Sequence, residues 1–458
     1  MLAVVVSRAD RASEHIGEHL LDLAAWTEHE DPDRPDGDGG GTYYRSGGVE
    51  LRTFDDLHLH IEDAAAAFDD PALLVFASRH SGDTGPLLTA HATGNAGPAE
   101  FGGEDGSLAH AAPNALTVVR RAFDEQAPDG YGTGIECTHH GPSSVGCPSL
   151  FVELGSGEEE WDDPAGAEAV ARSILALEDV EPCTDRGVVG FGGSHYAPRF
   201  DRVLTETDWG VGHILADWSL EALEELGDLG GEEATGVIDQ AFRRSGVGYA
   251  LVDGDRPALA EAIDELGYRR VSETWLRETT GVDTALVGRL EGALSAIDDG
   301  LRLGALAREH QGGFVVEALP GELLDEANGV DRGAVAEAVA ARTLAYETAE
   351  GASMVDGRVA LADAGGYRRL VEALAAVLEA KYDHVEVRED RRGDRDGDAD
   401  GGEVLARREA FDPSLAREAG VEEGPAFGRL SAGEPVEVSG ETVEPDDVRR
   451  ARELRFPF

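Results

Sequence analysis

Lysine is nearly absent from the sequence, and acidic residues greatly outnumber basic ones. Lys381 is the single lysine in 458 residues, and 92 Asp and Glu stand against 39 Lys and Arg, a net charge of -53. A Walker phosphate loop needs a lysine after a glycine-rich turn, and Lys381 has no such turn, so P-loop ATPases and kinases are excluded. The acidic residues are spread through apolar-patterned segments. We therefore favour a halophilic protein with a carboxylate-covered surface over an acidic tail or a basic ligand.

Cysteines and long apolar runs are also scarce. The three cysteines, Cys137, Cys147 and Cys183, form neither a disulfide framework nor a Cys-x-x-Cys metal knuckle, which favours a reducing cytoplasm. No apolar stretch approaches the length of a membrane span, and residues 1–8 are typical of a first strand rather than a signal peptide. We expect a cytoplasmic monomer without membrane contact.

Several common catalytic motifs are missing. The sequence has no Gly-x-Ser-x-Gly elbow, which argues against an α/β-hydrolase serine esterase. It has neither a His-Glu-x-x-His helix nor a complete Gly-x-Gly-x-x-Gly turn, so ordinary zinc peptidases and nicotinamide dehydrogenases lose their main support.

The first 280 residues alternate between short β-branched runs and amphipathic patterns. Buried strands are predicted at Leu2–Val6, Leu73–Phe76, Phe151–Leu154, Val188–Phe191 and Tyr249–Val252. Helices are predicted at Arg11–Trp26, Leu108–Phe123, Ala165–Leu177, Glu233–Phe242 and Arg256–Leu266. This alternation predicts an α/β domain over residues 1–280, a layered, largely parallel or mixed sheet with flanking helices.

Residues 281–458 have Ala- and Glu-rich helical patterns followed by a Gly- and Val-rich tail. This change of pattern predicts a smaller helical and β C-terminal extension. Helices are predicted there at Leu286–Ile297, Arg332–Tyr346 and Gly366–Tyr382. Two stretches rich in Asp and Gly, residues 28–48 and 388–402, cannot bury enough apolar surface to offset their ordering entropy. We expect a mobile surface insertion at 28–48 and a mobile segment at 388–402.

Five of the 14 histidines fall in four short blocks of the first domain. His80 and His195 come just after predicted strands, and ligands of α/β folds bind at the carboxyl ends of strands. Histidine titrates near neutral pH and ligates zinc as a neutral imidazole, so the blocks suggest a reactive centre. Because only His310 and His384 lie beyond residue 280, we place the chemistry in the first domain.

The pair His139 and His140 is the strongest of these signals. If the two continue an extended run, their side chains point to opposite faces, so only one is expected to line a site. Glu136 would then share a face with His140 and could orient an imidazole or exchange a proton with it. The alternative is that one histidine is a core residue and Glu136 a surface acid.

The sequence offers further candidate site residues. His195 follows Gly192-Gly193, where the backbone can approach a ligand closely, and Arg199 could anchor a phosphate or carboxylate. Glu153 is an acid inside an apolar strand, which is costly unless it is paired. Weaker candidates for substrate contacts are Arg79 beside His80, and His91 near Asn95.

The order of these blocks resembles the archaeal and plant-type D-aminoacyl-tRNA deacylases over about residues 1 to 280. The resemblance rests on Ser7–Ser13, Ser78–His80, Leu88–Asn95, Ala99–Gly103, Glu136–Pro142, Pro148–Ser156 with Trp161, and Gly192–Phe200. It implies hydrolysis of the ester between a D-amino acid and the terminal ribose of tRNA, with zinc, on a fold similar to phosphorylases and peptidyl-tRNA hydrolases. The carried-over site residues are His80, His91, Glu136, His139, His140, Glu153 and His195. Ser194, the 28–48 insertion and the long extension depart from the family pattern.

The resemblance also implies roles for these residues. Zinc would be held by His80, His195 and one of His139 or His140, with Glu153 as a further metal candidate, and the remaining imidazole or Glu136 would move the proton. The expected partner is the 3′ end of aminoacyl-tRNA. Its recognition would rest on stacking of the terminal adenine, on 2′-hydroxyl contacts, and on a few arginines. Those arginines would include Arg79, Arg120, Arg121 and Arg199.

Two other functions stay open at the level of sequence. One is a phosphorylase-like nucleosidase or zinc amidohydrolase on the same fold, and the other is a non-enzymatic RNA-binding protein whose histidines are structural. Bound zinc would argue against the non-enzymatic protein, and hydrolysis of the aminoacyl ester would argue against both alternatives.

Overall fold

The computed structural model of the chain describes residues 1–225, 229–389 and 402–458. These residues form two compact units, Met1–Thr280 and Gly281–Phe458. The expected α/β architecture, a mixed sheet with flanking helices, is confirmed in the first unit.

The first unit contains fourteen strands and nine helices among its described residues. The strands are β1 Leu2–Ser7, β2 Thr27–Asp31, β3 Gly41–Ser46, β4 Val49–Phe54, β5 Leu73–Arg79, β6 Leu87–His91, β7 Gly94–Asn95, β8 Ser107–Leu108, β9 Gly132–Ile135, β10 Ser149–Gly155, β11 Gly187–Phe191, β12 Gly210–Leu215, β13 Tyr249–Val252 and β14 Arg269–Arg270. The helices are α1 Arg11–Leu23, α2 Pro113–Gln126, α3 Glu158–Trp161, α4 Pro164–Leu175, α5 Pro198–Glu206, α6 Asp217–Glu225, α7 Glu232–Ser245, α8 Pro257–Glu265 and α9 Glu273–Glu278. Short 3-10 turns occur at His58–His60 and Ala64–Ala67.

Two main sheets organise this unit. The larger has eight strands in the order β2-β3-β4-β1-β5-β10-β6-β9, with parallel pairing around β1 and β5 and antiparallel pairing of β10 with β6. The smaller, β12-β11-β13-β14, is wholly parallel. Strands β1 and β10 are buried along their whole length, and their mainly apolar sequences are typical of strands covered on both faces.

Local sequence signals explain where the helices begin. Asp10 caps α1, since its carboxylate accepts from the backbone N–H groups of Ala12 and Ser13. Pro113 occupies the first turn of α2, where its missing N–H costs nothing, so this helix begins there and not at the predicted Leu108. All five predicted strands form, within a few residues of the expected ends.

The second unit contains nine strands and six helices in its described part. The strands are β15 Arg302–Leu303, β16 Val315–Ala318, β17 Ala345–Ala349, β18 Met354–Leu361, β19 His384–Glu389, β20 Gly402–Phe411, β21 Val436–Val438, β22 Glu441–Val443 and β23 Arg449–Pro457. The helices are α10 Thr284–Ala293, α11 Gly321–Val330, α12 Arg332–Ala340, α13 Gly365–Leu378, α14 Pro413–Glu418 and α15 Pro425–Ser431, with 3-10 turns at Ile297–Asp299, Ala305–Arg308 and Pro445–Val448. Its sheets are β15-β17-β18-β16, β19-β20-β23 and the hairpin β21-β22. None of the helices in the described part of the chain is long and apolar enough to span a membrane.

Two expectations about this chain need correction. Residues 28–48 are not an irregular loop: β2 and β3 form a hairpin that joins β4 in the larger sheet. The buried Arg52 guanidinium holds it by donating to Asp31 and to the carbonyl of Gly39. In the second unit, the helix predicted over Arg332–Tyr346 ends at Ala340, because the residues from Ala345 pair as a strand.

The other segment predicted to be mobile, 388–402, lies mostly outside the described residues, which omit 390–401. Strand β19 ends just before these residues, and its partner β20 begins just after them.

Candidate active site

Loops from both sheets of the first unit bring the five histidines of the sequence blocks together. His80 follows β5, His91 ends β6, and His195 follows β11. The ring centroids of His91 and His139 lie 4.2 Å apart, those of His139 and His140 4.4 Å apart, and those of His139 and His195 4.7 Å apart. The convergence expected from the positions of His80 and His195 after their strands is therefore present.

Glu136 lies at the centre of this cluster. Its side chain is fully buried, and His195 Nε2 lies 2.9 Å from its Oε2 atom. His139 Nε2 is 3.5 Å from the same oxygen, and His80 Nε2 is 3.3 Å from Oε1. One carboxylate thus faces three imidazoles that come from three separate loops.

The hydrogen bonds of this cluster involve the outer nitrogens of the histidines and not the oxygens of Glu136. Neither oxygen of Glu136 accepts a well-directed hydrogen bond from the described residues. On the outer side, Nδ1 of His139 donates to the Cys137 carbonyl at 2.9 Å, and Nδ1 of His140 donates to the Gly141 carbonyl at 2.8 Å. A carbonyl can only accept, so these Nδ1 atoms carry the proton and each Nε2 presents a lone pair. This pattern is typical of histidines that ligate a metal.

The charges of the cluster follow from burial and from these contacts. Burial alone would raise the pKa of Glu136, but His195 and the other imidazoles outweigh it and hold that pKa at about 2. Burial lowers the pKa of His139 and His140 well below the ordinary value, so both rings are neutral at pH 7. Contacts with Cys137 and Glu136 raise the pKa of His195 to about 10.

A second buried pair lies behind the cluster. His91 Nε2 is 3.6 Å from Glu153 Oε1, and the His91 ring stacks on Phe151 with centroids 5.2 Å apart. Burial raises the pKa of Glu153 to about 7. Burial opposes protonation of His91 as well, but the Glu153 carboxylate outweighs it and raises the pKa of that ring.

Among the described residues, four groups of three side chains have ligand atoms close enough to hold one metal ion. They are His80 with Glu136 and His195; Cys137 with His139 and His195; His91 with His139 and His140; and His91 with Glu136 and Glu153, and within each group the atoms lie within 4.8 Å of one another. The sequence-based set of His80, His140, His195 and Glu153 is therefore divided among several groups. His80 and His195 do fall in one group, and its third member is Glu136.

The cluster separates two cavities. The first, of about 400 Å³, is lined by Asp10, Leu57, His58, Leu59, Ser78, Arg79, His80, Ser81, Phe101, Glu136, His139, His140, Glu153 and His195. The second, of about 470 Å³, is lined by Asn95, Ala96, Gly97, Pro98, Glu100, Phe101, His139, His140, His195, Trp218, Ala222 and Glu225. Phe101 and three histidines line both, so the two cavities meet at the cluster.

The expectation that His139 and His140 point to opposite faces is wrong. Strand β9 ends at Ile135, and His140 has a positive φ of 46°, so the alternation of an extended strand does not continue through the pair. Both rings consequently face the two cavities.

Three of the four arginines expected near the substrate lie outside the two cavities. Arg199 pairs with Asp253 at 2.8 Å and with Glu273 at 3.5 Å, and it lines neither cavity. Arg120 binds Asp201 and Asp124, and Arg121 donates to backbone carbonyls. Their guanidinium groups serve internal contacts. Arg79 does line the first cavity, near the ring of Trp161.

Of the other two substrate candidates, one reaches a cavity directly. Asn95 lines the second cavity, and its Nδ2 donates to the Gly102 carbonyl at 2.8 Å. His91 stands behind His139 and His140 and is completely buried.

Sequence reasoning missed four residues at the site. Tyr196 directs its hydroxyl to His80 Nε2 at 3.4 Å, and Cys137 Sγ lies 3.6 Å from His195 Nδ1. Phe101 and Trp218 are exposed aromatic rings at the cavity walls. Phe101, Cys137 and Tyr196 lie inside the blocks that carry the family resemblance, which was an available signal, whereas nothing in the sequence marked Trp218.

Tight packing of glycines fixes the loop that carries His140, and Gly141→Ala tests this packing. A Cβ at Gly141 would overlap the backbone of Gly102 and Gly103 and lie 2.7 Å from the Leu59 carbonyl. We expect a loss of about 1–3 kcal/mol in the free energy of unfolding and a clear loss of catalytic activity, because His140 must shift. Thermal unfolding and activity measure both effects. Gly134→Ala is the matched control, since a Cβ there meets nothing within 4 Å; equal behaviour of the two variants would contradict the expectation.

His213 supports the same loop from beneath and predicts an acid-sensitive contribution to stability. It is buried between Thr138 Oγ1 at 3.0 Å and the Ala109 carbonyl at 2.9 Å, and burial lowers its pKa to about 4. The unfolded chain binds a proton near pH 6.5, so the stabilisation is complete above that pH and is lost as the pH falls through 4. It amounts to on the order of 3 kcal/mol.

Urea unfolding from pH 7.5 to 4.5 measures this contribution when His213→Gln is compared with the wild type. The stability advantage of the wild type should shrink as the pH falls, because the glutamine does not titrate. An advantage that stays constant over this range would show that His213 is not held neutral.

Comparison with known proteins identifies the family. A protein of Natronomonas pharaonis named D-aminoacyl-tRNA deacylase is 65% identical over 458 residues, which is 100% of both chains. The chain belongs to the D-aminoacyl-tRNA deacylase family. The sequence model of this family matches residues 67–271. The resemblance stated from the histidine blocks is therefore confirmed.

A second named relative and a solved structure are also similar to this chain. A protein of that name from Haloarcula marismortui is 50% identical over 463 residues, again covering 100% of both chains. A crystal structure of a conserved protein of unknown function is 29% identical, with a TM-score of 0.54, and covers 61% of this chain and 98% of that chain. The relatives from Natronomonas pharaonis and Haloarcula marismortui both align with the whole chain, so they share its C-terminal extension.

Proposed function

We propose that the chain hydrolyses the ester bond of D-aminoacyl-tRNA and releases the D-amino acid and free tRNA. The observation that carries this proposal is the buried Glu136 carboxylate facing His80, His139 and His195 where two cavities meet. Two cavities with one reactive wall suit a substrate with two parts joined by a scissile bond. Membership of the family supplies the identity of that bond. We place the reaction in the cytoplasm of a halophilic cell, which agrees with the net charge of -53.

We further propose zinc as the cofactor, held by His80, Glu136 and His195. The donors fit this ion, because two imidazole nitrogens and one carboxylate are a common catalytic zinc set with a position left for water. Zinc would bind His195 as a neutral imidazole and would displace the proton that the Cys137 and Glu136 contacts otherwise hold on this ring. The absence of directed hydrogen bonds to the Glu136 oxygens supports a cation at this place. When bound, zinc lowers the pKa of a coordinated water to about 7 and so supplies a nucleophile at neutral pH.

His139 is the side chain best placed to move a proton. Its Nδ1 proton is committed to the Cys137 carbonyl, and its ring is neutral, so the Nε2 lone pair can accept a proton from an attacking water. The ring lines both cavities and its side chain keeps 20% of its surface exposed, so the proton can later pass to the leaving ribose hydroxyl. In this assignment Glu136 serves as a ligand and not as the base.

Tyr196 is placed to stabilise the charge that develops on the ester carbonyl oxygen. Its hydroxyl lies 3.4 Å from His80 Nε2, at the edge of the proposed metal site. Burial, together with the Glu136 charge, raises the pKa of this phenol, so the hydroxyl keeps its proton and can donate a hydrogen bond.

Incubation of the purified chain with three substrates tests the proposed function. The expected result is release of free amino acid from D-aminoacyl-tRNA, with no phosphate-dependent cleavage of nucleosides and no hydrolysis of N-acetylated amide substrates. Nucleoside cleavage without ester hydrolysis would favour the phosphorylase-like reading, and amide hydrolysis would favour an amidohydrolase. Binding of tRNA without loss of the ester would show an RNA-binding protein instead.

A further inference from the structure

Exposed aromatic rings are concentrated at one place on the described surface. Across all the described residues, six large apolar side chains are exposed: Met1, Phe101, Tyr196, Trp218, Leu306 and Leu454. The three aromatic ones all border the histidine cluster, with exposed fractions of 65% for Phe101 and 46% for Trp218. Exposed rings grouped around a reactive site indicate a surface for a ligand.

Phe101 is exposed but its backbone is firmly held. Its carbonyl accepts from the backbone N–H of Gly141 at 2.9 Å, and the neighbouring Gly102 carbonyl accepts from Asn95. Gly102 and Gly103 both have positive φ, and a Cβ on either would overlap neighbouring atoms. The backbone of Phe101 is therefore held beside the His139-His140 loop.

Trp218 is held in the same way to the loop that carries His195. The Asp217 carboxylate accepts from the Gly193 N–H at 2.7 Å, and the Asp217 N–H donates to the Gly193 carbonyl at 3.0 Å. Trp218 is the next residue, in the first turn of α6. Both aromatic rings are thus positioned by the backbone segments that position the histidines.

The second cavity has the chemistry of a site for a flat heteroaromatic ring. Its volume is about 470 Å³, and beyond the shared wall of histidines it is lined mainly by small and apolar residues between Phe101 and Trp218. Glu100 and Glu225 also line it, and carboxylate oxygens accept hydrogen bonds from an exocyclic amine. Stacking on aromatic side chains and edge hydrogen bonds are how proteins bind single-stranded bases.

We infer that the second cavity binds the terminal adenosine of the tRNA, with its adenine ring stacked against Phe101 and Trp218. The inference rests on the proposed function. With the base in this cavity, the ester lies at the wall formed by His139, His140 and His195, and the aminoacyl group lies in the first cavity. Phe101 and Trp218 are then positioning residues for every substrate, whichever amino acid it carries.

Steady-state kinetics of Phe101→Ala and Trp218→Ala on D-alanyl-tRNA and D-tyrosyl-tRNA test the inference. Because loss of a base–aromatic stack weakens binding, each variant should raise KM about tenfold or more while kcat changes little. The factor should be the same for both substrates, and Trp218→Phe should recover most of the loss. Leu454→Ala is the matched control, since it removes an exposed apolar side chain from the second unit and should leave KM unchanged.

A second measurement uses adenosine monophosphate as a probe and needs no turnover. It should inhibit the wild type and quench its tryptophan fluorescence more strongly than uridine monophosphate does, and both effects should weaken in Trp218→Ala. An unchanged KM in both alanine variants, or a rise confined to D-tyrosyl-tRNA, would overturn the inference; the latter would assign the cavity to the amino-acid side chain. Failure of the proposed function is distinguishable, because the wild type would then release no D-amino acid in the same experiment.

Discussion

Replacing His195 by alanine is expected to lower kcat/KM for D-aminoacyl-tRNA about 10³-fold or more, with little change in stability. Its Nε2 atom lies 2.9 Å from Glu136 Oε2, so the variant loses both a proposed metal ligand and the closest neighbour of that carboxylate. The fold should persist, because the side chain is 37% exposed and the loop is held by a backbone bond from Cys137 to the His195 carbonyl.

His110→Ala is the matched control for this variant. His110 is an exposed histidine of the same unit, and it lines neither of the two cavities at the cluster. Deacylation rates and thermal unfolding should be measured for both. A His195→Ala protein that unfolds like the wild type yet retains full activity would remove His195 from the site.

The second large effect is expected from Glu136→Gln, which should abolish both zinc binding and hydrolysis. Glutamine has nearly the shape of glutamate, so the packing of this fully buried side chain is kept while its charge is removed. A neutral amide is a poor ligand for zinc beside imidazoles, and its NH₂ group would donate to a lone-pair nitrogen that now faces the site.

Metal analysis and activity together measure this effect. The wild type should carry about one zinc per chain, lose activity with a chelator, and recover when zinc alone is restored. Glu136→Gln should bind no zinc and should not recover. Glu261→Gln, on the exposed surface of α8, should behave as the wild type. Wild-type protein that is free of metal and fully active would contradict the zinc assignment.

Much of the fold could be predicted because elements that are buried on both faces need apolar residues at most of their positions. β1 and β10 are covered on both faces, so they are mainly apolar and were recognised as strands, although Glu153 interrupts the run of β10. The hairpin of β2 and β3 gave no such pattern, since its stability comes from pairing with β4 and from the buried Arg52 that binds Asp31. A guanidinium reaching across 21 residues of chain leaves no local signal.

The same distinction applies to the site. His80 and His195 each follow a strand, so a site at strand ends could be predicted from the topology of α/β folds. That their two strands belong to different sheets could not be predicted. The central position of Glu136 could not, because it depends on three loops that meet only in the folded chain. The left-handed conformation of His140 also has no sequence signal, and it is what turns both rings of the pair to the cavities.

The arginines show why residue type alone predicts contacts poorly. Arg199 was expected at the substrate because it follows the His195 block, yet Asp253 and Glu273 neutralise it within the fold. In a chain with 92 acidic residues and 39 basic ones, an arginine most often finds a carboxylate of its own chain. We therefore expect binding of tRNA to depend on stacking and shape more than on phosphate contacts.

The most direct test of the account is the rate of ester loss from matched D- and L-aminoacyl-tRNA of one amino acid, measured for the wild type and for His195→Ala. The account predicts rapid release of the D-amino acid by the wild type, much slower loss of the L-ester, and no release above the spontaneous rate by the variant. Equal loss of both esters, or undiminished release of the D-amino acid by His195→Ala, would contradict it.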